Sequence, residues 1–319
     1  MTLLNILIPS RRNLASHPVY NVEHQVRLRR NPREFNYLYL IIVLALIVLP
    51  LIGVWAVLVE IRLEEARTTL SATIDRDLVI LDATQELIGW LFLTSIGLAL
   101  VLDVAGILSS VGSINRERQS GHWSLIRLTN LNRHAVVKAK HILAQEYAVR
   151  VLIVVINLRL SVIILFALFS IVVQLPSDGR TNFELFQQAL DEDRTESLLS
   201  LTLIGLFLLI YVIEPLWRIR AVTAFGTALS ARIGGASQAL MAGLASIAFM
   251  WISQGILLIA FFAMLFFALD DVNVSDVATG LVITISIVGL IGVLIYTYYR
   301  LIRQWGLRWA VRAGFYREV

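Results

Sequence analysis

Six long apolar runs dominate this chain and leave it few folds to choose from. A helix that crosses a bilayer needs about 20 consecutive, mostly apolar residues. The runs that reach that length are Tyr37–Val59, Leu87–Ser110, Ile142–Val173, Leu199–Trp217, Ala236–Leu269 and Val277–Tyr299. The chain is 58% hydrophobic and 16% charged over 319 residues, against about 45–50% and about 25% for a soluble domain. No soluble core absorbs that excess. In lipid every backbone polar group must be satisfied within its own segment, so apolar runs of this length become helices. The expected fold is therefore an all-α integral membrane protein with six transmembrane helices. With no cysteine in the sequence, disulfide scaffolds and cysteine zinc sites drop out.

The charges between the runs orient them. The segment before the first run carries Arg11, Arg12, Arg27, Arg29, Arg30 and Arg33. Loop 113–141 has six basic residues against Glu117, loop 218–235 has Arg218, Arg220 and Arg232, and the tail from Arg300 has five arginines. The other three loops are acidic: seven acids against three arginines in 60–86, six against two in 174–197, and three against none in 270–276. Basic loops stay in the cytosol, so both termini are expected there. The resulting organisation is a basic N-terminus (1–36), a six-helix membrane domain (37–302) and a basic C-terminal tail (303–319). No cleavable signal is evident, because Leu3 to Ile8 is shorter than a signal core and no basic residue precedes it. The net charge of +4 says little about nucleic acid, and none is expected as a partner.

Ser16-His17-Pro18 reads as a helix start, with a capping serine and proline in the first turn. Val19, Val22 and Val26 follow at helical spacing, which suits an amphipathic helix along the inner membrane face. The fifth run has 34 residues, roughly 50 Å as a straight helix. It either projects from the bilayer or bends back, with Gly255 as the candidate bend. The external loops are too small to form a catalytic or substrate-binding domain.

Residues 114–142 read INRERQSGHWSLIRLTNLNRHAVVKAKHI, a cytosolic hairpin between the second and third spans. Gly121 allows a sharp backbone change. Trp123, Leu125, Ile126 and Leu128 give a short element an apolar surface, and Asn132 marks a new helix start. Two readings stay open on physical grounds: a docking surface for another protein, or a loop packed on its own helices.

This segment resembles the type-2 (ABC-2) ABC exporter permeases, which carry a pattern close to E-[RK]-x-x-G-T-L-E-x-L-x-x-T-P-L-x-x-x-x-I-x-x-x-K after their second span. Glu117, Arg118, Gly121, Leu125, Ile126, Thr129, Leu131, Val136 and Lys140 stand in that register without a gap. His122, Trp123 and Ser124 replace the common Thr, Leu and Glu, and Asn130 replaces the usual Pro. The resemblance implies a coupling helix that docks on a separate ATPase through Glu117, Arg118, Gly121, Trp123, Leu125 and Ile126. It also implies a weaker second contact at Ser230 and Arg232. Its further implications are a second permease chain, identical or different, and a prokaryotic plasma or inner membrane. ATP and magnesium would sit on the partner ATPase, with no cofactor in this chain. The residues agree on one point: a P-loop ends in Lys-Ser/Thr, whereas Lys138 and Lys140 are followed by Ala139 and His141.

Charges inside the runs are expensive in lipid and should face protein or water. Asp103 and Arg150 lie at similar depth, so a pair between adjacent spans is expected, either as a structural clamp or as part of a polar path. Glu146 and Arg150 share a helix face at i,i+4. Arg159 lies deeper with no evident partner, which makes it the candidate path residue, facing an anionic lipid headgroup. Glu214 and Arg218, also at i,i+4, read as an interfacial pair beside Pro215. The five histidines, His17, His24, His122, His134 and His141, lack metal-site spacing. No histidine lies within a run to activate a serine.

The reading is a transport subunit powered by a separate ATPase, exporting a lipidic or amphiphilic cargo. The alternative is a non-transporting membrane anchor or regulatory subunit using the same hairpin. A membrane enzyme comes third, for want of a catalytic constellation.

Overall fold

A computed structural model describes residues 17–30, 73–172, 194–269 and 277–316. Among these residues the chain is entirely helical, with seven α-helices and no strand. They are α1 (Pro18–Arg30), α2 (Thr73–Gln119), α3 (His122–Leu128), α4 (Arg133–Val172), α5 (Arg194–Arg232), α6 (Ala236–Leu269) and α7 (Val277–Val311). One π-helical turn, Arg312–Tyr316, closes the described chain. Four segments are long and apolar enough to cross a membrane: Ile88–Gln119, Arg133–Ala167, Ala236–Ala260 and Ile285–Phe315. They mark a membrane protein. The run expected at Tyr37–Val59 lies outside the described residues, as do Arg11, Arg12 and Arg33 and most of loop 174–197.

The outward surface supports the same conclusion. Phe249, Ile259, Val282, Val293 and Trp90 are each more than 60% exposed. Large apolar side chains exposed in such number would be a liability in water and are ordinary against lipid tails. Hydroxyls along the helices turn back on their own backbone, as Ser110 does on Gly106 O (2.7 Å) and Thr227 on Thr223 O (2.7 Å).

Inside, α5 is the central helix and packs on α2, α4, α6 and α7. Its inward positions are small: Ala221, Ala224, Ala228 and Ala231 are buried. Without a hydrophobic drive between helices in lipid, close backbone approach supplies the packing. At Gly306 of α7 an added Cβ would stand 2.9 Å from the Ala224 backbone, and at Gly226 one would stand 1.9 Å from Ser110 Oγ. The core divides into three clusters. Tyr20, Leu102, Ile142, Leu152 and Ile219 join α1, α2, α4 and α5. Ile107, Val222, Ile247, Met250 and Ile295 join α2, α5, α6 and α7. Ile114, Trp123, Val136, Ala228, Val311 and Phe315 gather the hairpin with the ends of α5 and α7.

Several sequence expectations change here. Loop 218–235 is helical to Arg232, because Ile219, Val222 and the alanines that follow have a core to pack against; only residues 233–235 form the turn. The C-terminal tail likewise starts as helix, since α7 runs to Val311 against α5. No break occurs at Gly255, and α6 is one helix from Ala236 to Leu269. Helix α1 begins at Pro18 as read, but the valine stripe does not set its buried face. Tyr20 is buried against α4 while Val22 is 61% exposed.

Candidate functional site

Polar side chains from the five long helices among the described residues meet inside the bundle. Asp103 comes from α2, Arg159 from α4, Glu214 and Arg218 from α5, Trp251 and Gln254 from α6, and Tyr299 from α7. Arg218 Nε donates to both oxygens of Asp103, at 3.0 and 2.9 Å, and its Nη1 donates to Glu214 Oε1 at 3.0 Å. Arg159 Nη1 donates to Glu214 Oε2 at 3.0 Å and also to the Tyr211 carbonyl. Trp251 Nε1 donates to Asp103 Oδ2 at 2.9 Å. The Tyr299 hydroxyl donates to Glu214 Oε1 at 2.7 Å and stands 2.8 Å from the Gln254 amide. Each guanidinium also lies on an aromatic face, Arg218 4.0 Å from the Trp251 ring centre and Arg159 4.5 Å from that of Tyr211.

The two acids and two arginines carry a formal charge of zero, and all four are buried. A buried charge is tolerated only when it is paired and hydrogen-bonded. Glu214 matters most, since both arginines use it. Arg218 Nη2 and Arg159 Nε remain buried with no hydrogen-bond partner among the described residues.

This arrangement corrects two sequence expectations. Asp103 pairs with Arg218 of α5, not with Arg150, because α5 packs along α2 and presents Arg218 to it. Arg159 has a carboxylate partner, Glu214, supplied from 55 residues away. Glu214–Arg218 is a pair, as expected from its i,i+4 spacing, and both side chains are buried within the bundle. Glu146 turns toward α1, where His24 Nδ1 stands 3.3 Å away and Tyr20 donates from its hydroxyl.

The second assembly is the hairpin. Gly121 has φ +78°, the left-handed region that favours glycine. It stops α2 and starts α3 after a turn of two residues, Ser120 and Gly121. Asn132 Oδ1 then accepts from the His134 amide at 3.0 Å and starts α4. Within α3, Trp123 points inward. It is 3% exposed, donates through Nε1 to Gly314 O at 3.0 Å, and packs at 5.1 Å on Phe315. Arg118 Nη1 donates to Ala231 O at 2.7 Å. Glu117 bonds Lys140, which also bonds Glu23 of α1. Gly121 itself is exposed and Ile126 is half-buried. The outward apolar residues are Leu125 at 62% exposure and Leu128 at 84%.

The two physical readings of the hairpin therefore divide by residue. Trp123, Glu117 and Arg118 fasten it to its own helices, and Leu125 and Leu128 present an apolar tip. Ser230, expected at a second outer contact, is fully buried and accepts from the Ile114 and Asn115 amides at 3.0 Å each. Arg232 lies 5.0 Å over the Trp309 ring. The fastening role of the C-terminal Gly314 and Phe315 escaped sequence reasoning; the Gly-Phe pair after a basic helix was its only trace. No family model, curated protein or solved structure matches the chain.

Proposed function

We propose that this chain is the membrane-spanning permease subunit of an ATP-driven ABC exporter in a prokaryotic cell membrane. A separate ATPase holds ATP and magnesium and docks on the 114–132 hairpin. A second permease chain completes the path. One observation carries this reading: a seven-residue helix joins two spans directly, is locked at its base by Trp123, and shows Leu125 and Leu128 to the outside. A lever of this form transmits a push on its tip to α2 and α4 without first deforming. The resemblance of residues 117–140 to permease hairpins supports it from the sequence side. An apolar cavity of about 480 Å³, lined by Phe92, Val162, Phe166, Phe207 and Tyr211, supports a lipidic or amphiphilic cargo.

The test is purification of the tagged chain from its native membranes in mild detergent, with mass spectrometry of what accompanies it. A stoichiometric P-loop ATPase, lost on the double change Leu125→Asp and Leu128→Asp, is the expected result. An ATPase retained by that variant would overturn the docking site. No ATPase at all, with other membrane complexes intact, would move the assignment to an anchor or regulatory subunit.

A further inference from the structure

A cavity of about 670 Å³ lies between α1, α2 and α4, and none of the charge cluster's residues lines it. Its wall changes character along the helices. Ala105 and Leu108 belong to the apolar run that ends at Ser110, and Leu143 and Ala144 to the run that begins at Ile142. Arg116 and Glu117 lie past the first run, Lys140 precedes the second, and Glu23 reaches them from α1. One end of the cavity is therefore lined from within two apolar runs, and the other by charges just outside both. That wall matches an amphiphile, with its tail at one end and its head at the other.

The charged end specifies the head. Lys140 donates to both Glu23 and Glu117, so one ammonium serves two carboxylates and one negative charge is left over. Glu117 Oε2 has no hydrogen-bond partner among the described residues. Ser109 and Ser113 also line the cavity. Each donates its hydroxyl proton to its own helix, to Gly106 O at 2.9 Å and Ser110 O at 2.6 Å, which leaves oxygen lone pairs as acceptors. This wall suits a cation rich in N–H donors. Arg116 has the opposite need: it lines the same cavity and makes no ion pair among the described residues. Its side chain folds back over Gly112, where an added Cβ would stand 3.3 Å from Arg116 Nε. A guanidinium matches phosphate oxygens with its forked donors.

We infer that this cavity holds a phospholipid whose head carries both a phosphate and a primary ammonium, the phosphate on Arg116 and the ammonium at Glu117 and Glu23. A quaternary ammonium has the charge but no N–H for Glu117 Oε2, and a purely anionic head has no cation for the surplus carboxylate. The acyl chains start along Ala105, Leu108, Leu143 and Ala144, and Leu108 is 57% exposed at the open edge of that wall. The volume lies within the range of ligand cavities, about 300–1,000 Å³, which gives room for a head and the first part of its chains. The inference is independent of whether the chain transports anything.

The experiment uses the purified full chain in a non-ionic detergent, mixed with equal amounts of phosphatidylethanolamine, phosphatidylcholine and phosphatidylglycerol. Native mass spectrometry counts the lipid that each molecule retains. The expected result is one retained phosphatidylethanolamine, preferred at least about ten-fold over either competitor, the effect of one hydrogen bond to a charged group. Arg116→Gln should weaken its retention roughly five-fold, the effect of one charge. Glu117→Gln should cut the preference over phosphatidylcholine to about three-fold, since a neutral acceptor bonds about half as strongly. Arg308→Gln, on α7 and outside the cavity, should leave retention unchanged. Arg116 makes no ion pair among the described residues, so its variant keeps the fold; circular dichroism checks this. A parallel arm adds glycerophosphoethanolamine, the same head without chains. Displacement of the lipid by an equal amount of it would overturn the lipid source and make this a site for a soluble phosphoamine. A preference for phosphatidylglycerol would overturn the assignment of the head. Equal retention of the three lipids, or a preference unchanged in both Arg116→Gln and Glu117→Gln, would overturn the site altogether.

Discussion

The buried charge cluster and the hairpin both join elements far apart in sequence, and they do it in opposite ways. The cluster faces inward. Its acids and arginines pair with one another, and five helices contribute to it. The hairpin is half closed. Trp123 is used up internally, while Leu125 and Leu128 remain outside. The contrast teaches where to look for holding and where for contact. A group whose bonding capacity is met inside the chain sets geometry. Apolar surface at the tip of a rigid element, beyond the apolar runs, is where a docking partner would be sought.

The comparison breaks most severely at Glu214. Glu214→Ala leaves two arginines buried without their shared carboxylate, which is expected to cost about 3–5 kcal/mol. The unfolding midpoint in detergent measures it, and a loss under about 0.5 kcal/mol would mean that the cluster clamps nothing. Exchanging Asp103 and Arg218 in one chain should recover part of what either single change loses, since the two are in contact. Next comes Trp123→Ala, expected to cost about 3 kcal/mol. Its effect should stay local, with faster hydrogen exchange at α3 amides and little change at those around Asp103. Spread of that effect into the cluster would show one cooperative unit instead of two. Gly121→Ala forces a side chain into the left-handed region, at about 1–2 kcal/mol, read again at α3. Smallest in stability is the double change at Leu125 and Leu128 to Asp, within about 0.5 kcal/mol. The same change should lower ATPase recruitment at least about ten-fold, as loss of an interface hot spot does. A large stability loss there would mean that the tip belongs to the fold rather than to a partner.

Legibility in the sequence followed the range of the interaction. The apolar runs at Leu87, Ile142, Ala236 and Val277 became helices because length and hydropathy are properties of consecutive residues. The start of α1 at Pro18, the break at Gly121 and the cap at Asn132 were readable for the same reason. So was the Glu214–Arg218 pair, one helical turn apart. The partner of Asp103 was not readable. Depth along the helix pointed to Arg150, and only the packing of α5 on α2 brings Arg218 to Asp103 instead. Arg159 looked unpaired for the same cause. In the hairpin, composition identified an apolar surface but not its division, because Trp123 and Leu125 are two residues apart and point opposite ways.

The sequence by itself determined that this chain is helical and bound for a membrane, since in lipid each segment must meet its own backbone hydrogen bonds. It also determined where the helices break at Gly121 and restart at Asn132, because turns and caps are local. The tertiary structure alone decided which charges pair and that Gly314 and Phe315 hold Trp123. Those are matters of which helix faces which, and helix facing in a bilayer is set by side-chain packing between segments, which no single run of residues encodes.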